Sequence, residues 1–419
     1  MAADGSAPSR TARREWGAAL LIALLALAWS WPIAQKMIDD GDFPTHLRVA
    51  ESIVAHPSLP APHFLFFGAV AAVMAVPPGV PARAAGLIVV SLLSTATALF
   101  IAWYLAREWR STALRATAAA VALLITGPIL PWSLEADQYL VGYFASNPYH
   151  NATFTTSKPF CLWLVIVAAA TLGAGRRGLV WAGLAATLLT AISKPNYLTC
   201  LVPALVVAAA WQVARRRPVA WGALAAIVVP ATAAVLLMQI VYGERDMSVV
   251  VAPFKALSFF VPIGPSLVSQ FLGALAFPLA VAVLWPRLLG RADLALAWGA
   301  ALVAFAEAYL LGEAGQRIDH GNLLVAASQA VFVLMAVSTA AFGALPSATR
   351  VSDYARRAVA WGLFALHLAG GLRHVGAKMN LRDWEHPVTL LLLAACIVTL
   401  AVLLRAGRQG RPRAHPVFS

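Results

Sequence analysis

The chain has 419 residues, 61% of them hydrophobic and only 12% charged, with a formal net charge of +13 and a mean hydropathy of +0.76. A water-soluble globule of this length cannot hide so much apolar surface, and apolar runs of about 20 residues recur along the chain. A soluble enzyme is therefore excluded, and the distribution of the basic residues, taken up below, also excludes a nucleic-acid-binding protein.

Lipid admits only helices or closed barrels, because every backbone polar group must be satisfied internally. The apolar runs are continuous rather than alternating, so the expected fold is an all-α polytopic membrane protein of about 12–13 transmembrane helices. A single transmembrane domain over 1–404 would be followed by a basic tail, 405–419. Arg10, Arg13 and Arg14 precede the first run, Gly17–Trp31, which no small-x-small cleavage site follows, so a retained first helix is expected.

Next comes an acidic first loop, 39–60. Between Asp39 and Glu51 it holds Asp39, Asp40, Asp42, His46, Arg48 and Glu51. Asp42 is placed to cap a helix that tolerates Pro44 in its first turn. Leu47, Ala50, Ile53 and Val54 then share an apolar face opposite Arg48, Glu51 and Ser52, which describes an interfacial helix stopped by His56-Pro57. His63–Val76 is a short apolar run ending in Pro77-Pro78, and its prolines and length leave open whether it crosses.

Further runs are Ala84–Leu105, Ala116–Trp132, Pro159–Gly173, Val180–Ile192, Tyr197–Val213, Val219–Tyr242, Leu267–Trp285, Leu294–Leu311, Leu323–Phe342, Ala358–Val375 and Val388–Leu404. Arginine clusters (Arg107–Arg115, Arg176-Arg177, Arg215–Arg217, Arg287 and Arg291, Arg350–Arg357, and the tail) alternate with loops bearing acids and histidines. This is the positive-inside pattern. It places the N-terminus and the C-terminal tail in the cytoplasm, explains the basic excess without nucleic acid, and sets the acidic loop outside. One discrepancy remains: three apolar runs precede Arg107, whereas the alternation needs an even number of crossings. The arginine- and alanine-rich composition suits a bacterial inner (plasma) membrane.

The same sorting puts most of the functional chemistry outside. All five lysines (Lys36, Lys158, Lys194, Lys255 and Lys378) fall there, although the chain holds 31 basic residues. Snorkelling at the interface explains Lys36 and Lys378. Ser157-Lys158-Pro159 and Ser193-Lys194-Pro195 instead place an ammonium where an apolar helix begins or resumes, which suits a phosphate. A second outer loop supplies His150 and Asn151, and a fourth supplies Arg317, Asp319 and His320. Asn151-Ala152-Thr153 is formally a glycosylation triplet. Within the spans only Glu307 and His367 are ionisable, few for an ion-coupled transporter. Cys161, Cys200 and Cys396 have unrelated spacings and read as apolar packers.

An aspartate-bearing first outer loop, a helix along the membrane and about a dozen spans resemble the GT-C superfamily of integral membrane glycosyltransferases. Asp40-Gly41-Asp42 resembles the D-x-D of the dolichol-phosphate-mannose-using member of GPI-anchor assembly. The resemblance implies a polyprenyl-phosphate-linked sugar as donor, a glycan, lipid or protein acceptor, and inversion at the anomeric carbon.

Transfer of this kind needs a carboxylate to take the acceptor hydroxyl's proton and cations to stabilise the departing phosphate. Asp42 is the expected base, with Asp40 orienting the acceptor. Lys158, Lys194 and Arg317 are the expected phosphate ligands, and His46, His150, Asn151 and His320 the lining of the sugar or acceptor pocket. No metal-ligand motif is present, although the acids are compatible with an assisting divalent metal. The rival classes are a transporter or flippase for a lipid-linked saccharide, a metal-dependent membrane enzyme using Asp42, His46, His150, Asp319 and His320, and a non-catalytic assembly subunit.

Overall fold

The structure is a computed structural model that describes residues 10–39, 42–56, 64–76, 79–109, 113–129, 145–147, 151–173, 175, 178–243, 249–255, 267–314 and 322–378. The expected span Val388–Leu404, the tail, and Asp40, His150, Arg317, Asp319 and His320 lie outside the described residues.

Thirteen described helices account for most of the chain: α1 (Arg10–Met37), α2 (Phe43–Ala55), α3 (Leu65–Ala75), α4 (Ala82–Trp109), α5 (Ala113–Ile125), α6 (Ala152–Thr171), α7 (Leu179–Ser193), α8 (Asn196–Ala214), α9 (Trp221–Gly243), α10 (Leu267–Leu284), α11 (Ala292–Leu310), α12 (Asn322–Gly343) and α13 (Val351–Lys378). Seven are long and apolar enough to cross a membrane, and shorter apolar helices add to them. The chain is an integral membrane protein built as a helical bundle.

Burial separates the bundle into an inner and an outer shell. In α12 and α6, 83% and 78% of the most apolar window is buried, against 22% in α9 and 33% in α8. The outer helices leave Trp181, Val207, Trp211, Val229, Ile240 and Leu302 exposed. Large apolar side chains facing outward in such numbers mark a lipid-facing belt. Helices α6 and α12 pack against each other and against α4 and α11, so they form the core on which any site must rest.

The end of α1 and the start of α4 lie together at one end of the bundle. Helix α3 has 11 residues, about 16 Å of helix against a hydrocarbon core of about 30 Å. Its end leads to Arg83, whose guanidinium pairs with both carboxylate oxygens of Asp39 at the end of α1, at 3.1 and 2.7 Å. The chain thus leaves and returns at one end of the bundle, and α2 and α3 both lie there.

Helix α2 forms as expected, but its buried face is Phe43, Leu47 and Ala50, with Ile53 half-buried and Val54 exposed. Phe43 is pinned by the edge of Phe66, 6.3 Å between ring centroids. Asp42 occupies the cap position without accepting a hydrogen bond there; its carboxylate is engaged elsewhere.

Two boundaries differ from expectation. Helix α5 ends at Ile125 and not at Trp132. Gly127 precedes Pro128, and the residue before a proline disfavours helix. The extended backbone that follows is satisfied by other helices: Gly127 N–H donates to His367 O at 2.9 Å and Ile129 N–H to Gly273 O at 2.8 Å. His367 is 1% exposed. Its Nδ1 lies 2.7 Å from Gly127 O, and its Nε2 accepts from Phe277 N–H at 3.3 Å. Such irregular backbone is tolerated within a bundle because protein groups replace the missing helix bonds.

Helix α6 starts at Ala152 and not at Pro159, because Asn151 caps it, accepting from Phe154 N–H at 3.1 Å. Pro159 therefore lies inside the helix. The described chain also contains one short antiparallel strand pair, β1 (Val249–Val251) and β2 (Leu311–Glu313), with Val250 opposite Gly312. An all-helical expectation did not include it.

Candidate functional site

The α2 end of the bundle joins an acid to a buried base through two polar side chains. Asp42, immediately before α2, is exposed, and its Oδ2 accepts from Asn151 Nδ2 at 2.7 Å. Asn151 Oδ1 in turn accepts from Thr153 Oγ1 at 2.7 Å. Thr153 Oγ1 accepts from the Lys194 ammonium at 3.0 Å. Asn151 thus does two jobs with one amide: its oxygen caps α6 and its nitrogen fixes the Asp42 carboxylate.

Lys194 sits where the sequence placed it, in the break between α7 and α8. Its backbone is extended, φ −166° and ψ 103°, as a residue before proline prefers. The side chain is 6% exposed. Among the described residues no carboxylate lies within ion-pair distance of it. Burial lowers its pKa to about 8, and the nearby charge of Asp42 works against that shift. A buried ammonium with one neutral acceptor and a distant counter-charge is poised to accept an anion.

Gln329 supports the junction from α12. It is 1% exposed, and its Nε2 donates to Ser157 Oγ at 2.7 Å and to the Lys194 carbonyl at 3.4 Å.

Lys158 departs from expectation. It lies within α6, two turns past the cap, rather than at a helix mouth. Its ammonium donates to Asn147 Oδ1 at 2.5 Å and lies 5.2 and 5.3 Å from the ring centroids of Phe154 and Phe332. Asn147 Nδ2 in turn donates to Thr126 O at 2.7 Å and Leu123 O at 3.0 Å, closing the end of α5. At about 100° per residue, Thr153 and Ser157 lie on one face of α6 and Thr155 and Lys158 on another. The two lysines are therefore held by different partners on different sides of α6, not gathered into one cluster.

His46 is half-buried, one turn into α2. Its ring packs 5.3 Å from Phe67 and 6.0 Å from Phe66, so it faces α3. The Asn-Ala-Thr triplet is consumed by the cap: Asn151 is 8% exposed, with its amide nitrogen committed to Asp42, which leaves nothing for a glycan. Glu307 is half-buried in α11 and accepts from Thr199 Oγ1 of α8 at 2.8 Å. Cys161 and Cys200 are buried free thiols. Among the described residues, no three His, Cys, Asp or Glu side chains converge to hold a metal.

Sequence reasoning missed Thr153, Asn147 and Gln329. Gln329 carried a signal: with Ser328 it interrupts the apolar middle of α12, and a polar side chain at that depth needs a partner. Thr153 was hidden inside the triplet, and Asn147 gave no local sign. No family model matches this chain, and neither a curated protein nor a solved structure matches it.

Proposed function

We propose that this chain is an integral membrane glycosyltransferase of GT-C type, which moves a sugar from a polyprenyl-phosphate donor to an acceptor at the outer face of a bacterial inner membrane. The observation that carries this is the chain of contacts from Asp42 through Asn151 and Thr153 to Lys194. It holds a proton acceptor and a phosphate-binding cation within one polar site, at a bundle end where a lipid-borne donor can arrive sideways.

Asp42 takes the proton of the acceptor hydroxyl as that oxygen attacks the anomeric carbon. The bond from the anomeric carbon to the donor phosphate oxygen breaks, and the polyprenyl phosphate leaves with the electron pair. Lys194 stabilises the charge that develops on it. Direct attack inverts the anomeric centre. Asn151 is a positioning residue that aims the Asp42 carboxylate, and Asp40, two residues away in sequence, orients the acceptor. Arg317, His150 and His320 complete the proposed phosphate and sugar contacts.

The test is incubation of purified protein with radiolabelled polyprenyl-phosphate sugars, following release of the free lipid phosphate. Wild-type protein is expected to turn over one of them, and Asp42→Asn to abolish transfer while keeping the same gel-filtration profile. Undiminished turnover in Asp42→Asn removes this carboxylate from the mechanism.

A further inference from the structure

The end of the bundle remote from Asp42 gathers arginines around one buried indole. Helix α4 has 28 residues, about 42 Å of helix, and carries the chain from the Asp39–Arg83 pair to Trp109. Trp109 is buried, and its Nε1 donates to Ala340 O of α12 at 3.0 Å. Gly343 makes room for the indole, since a Cβ there would collide with it. The Arg115 guanidinium, in the first turn of α5, stands over the Trp109 ring, 5.2 Å from its centroid. Three residues past Gly343, Pro346 O accepts from Arg357 Nη2, in the second turn of α13. Arg115 and Arg357 are thus brought toward each other by Trp109 and the end of α12, near enough for their charges to repel.

Nothing among the described residues pairs with these two charges. Glu108 and Asp293, the carboxylates bonded at this end, are taken by Arg291. Asp353, one turn before Arg357, attracts it without forming an ion pair. Arg115 Nε is buried and has no hydrogen-bond partner. A buried lysine can shed its proton, but a guanidinium cannot. Two half-buried guanidiniums with one buried donor unmet are therefore shaped for an anion. The flank of the pair is apolar: Trp103, Val351, Tyr354 and Val359 are exposed, and the Arg107 guanidinium lies over the Trp103 ring at 5.8 Å. Exposed tryptophan and tyrosine beside arginine are what a membrane–water border carries.

We infer that Arg115 and Arg357 bind the phosphodiester of an anionic two-chain phospholipid, at the bundle end remote from Asp42. A guanidinium presents paired N–H groups to two phosphate oxygens; Arg115 offers its Nε edge, and Arg357 the N–H groups that Pro346 leaves over. The apolar flank selects a lipid over a free ion. Arg107, Arg350 and Arg356, all exposed, select a head of net negative charge over a zwitterionic one. The length of α4 separates this lipid from Asp42 and Lys194, so it is a resident of the bundle and takes no part in sugar transfer. The inference does not rest on the transferase reading.

The test is photo-cross-linking of the full chain, in a nonionic maltoside detergent, with phosphatidylglycerol carrying a diazirine on its headgroup, followed by peptide mapping. Labelling is expected on the peptides that hold 103–115 and 346–359. Unlabelled phosphatidylglycerol should displace it at a concentration about tenfold lower than phosphatidylcholine, and inorganic phosphate should not displace it. Arg115→Gln with Arg357→Gln should cut that labelling about tenfold, and Asp42→Asn should leave it at the wild-type level. Because the peptides are read one by one, lipid held near Lys194 is scored separately. If the double glutamine variant does not elute as a monodisperse peak, Arg115→Lys with Arg357→Lys, which keeps both charges and loses the paired donors, takes its place and should cut labelling severalfold. Equal displacement by phosphatidylcholine overturns the anionic head, and equal displacement by inorganic phosphate overturns the lipid. Undiminished labelling in the folded double variant, or labelling confined to other peptides, overturns the location.

Discussion

Asn151 is the residue at which the structural and chemical roles of the site can be pulled apart. Its oxygen caps α6 and its nitrogen holds Asp42, so two substitutions at one position remove different things. Asn151→Ala removes both. Loss of the cap costs about 1 kcal/mol, and loss of the bond to an exposed carboxylate adds little. Asn151→Asp keeps the cap, since aspartate caps as well as asparagine and its charge suits a helix N-terminus. It replaces the donor facing Asp42 with a second carboxylate. Two like charges at that separation repel by about 1 kcal/mol in water and about 4 kcal/mol at a protein-surface dielectric, and the exposure of Asp42 favours the lower figure. The expected result is an aspartate variant as heat-stable as wild type, or nearly so, with transfer lost at neutral pH. Stability is read by thermal unfolding in detergent and transfer by release of lipid phosphate. A transfer rate and pH profile identical to wild type in Asn151→Asp would refute the assignment of Asn151 as the residue that aims Asp42. A larger loss of stability in Asn151→Asp than in Asn151→Ala would refute the capping argument.

Lys194→Ala should weaken donor binding, whereas unchanged donor affinity would assign the ammonium to helix-junction packing alone. Because burial lowers the Lys194 pKa to about 8, its positive charge is complete well below that pH and is lost above it; donor affinity in wild type should fall as pH rises through about 8, and Lys194→Arg should flatten that dependence. Gly371→Ala should yield little folded protein by gel filtration, because a Cβ there would collide with the Ile125 carbonyl, where the end of α5 meets α13. Thr199→Val should leave the Glu307 carboxylate in the bundle without its hydroxyl donor and cost about 1–3 kcal/mol in chemical denaturation, while Glu307→Gln should leave lipid-phosphate release at the wild-type rate.

Apolar length alone made α4, α7, α8, α9, α10, α11 and α12 legible, because lipid demands the same uninterrupted run that hydropathy records. The α5–α6 region was not legible for the same reason: its boundaries are set by groups far away in sequence. Helix α5 can stop at Ile125 only because His367 and Gly273, from α13 and α10, satisfy the backbone of Gly127 and Ile129. Pro159 resembled a helix start, yet the start is fixed by the Asn151 amide eight residues earlier. That single boundary carried the error at the site, for moving the beginning of α6 turned Lys158 from a group at a helix mouth into one two turns inside. Lys194 was placed correctly because Ser193-Lys194-Pro195 separates two apolar runs that are each long enough for a helix of their own, which Ser157-Lys158-Pro159 does not. The interfacial α2 was also foreseen, but the rotation of its buried face toward Phe43 depends on Phe66 and Phe67 of α3, which no local pattern connects to it.

The position of α6 then explains how one helix serves two polar sites in an apolar bundle. A single buried cation asks for one anion, and two cations sharing a face would repel while both lacked a counter-charge. Placing Thr153 and Ser157 on one face and Thr155 and Lys158 on the other lets each ammonium find a neutral acceptor, Thr153 for Lys194 and Asn147 for Lys158. The helix backbone stands between them. Each acceptor is then fixed by something rigid: Thr153 by the Asn151 cap, and Asn147 by the carbonyls at the end of α5. The consequence is that changes on one face need not be felt on the other. If Lys158→Gln and Lys194→Ala were found to alter the same binding event by the same factor, α6 would not be the partition that its two rows of side chains describe.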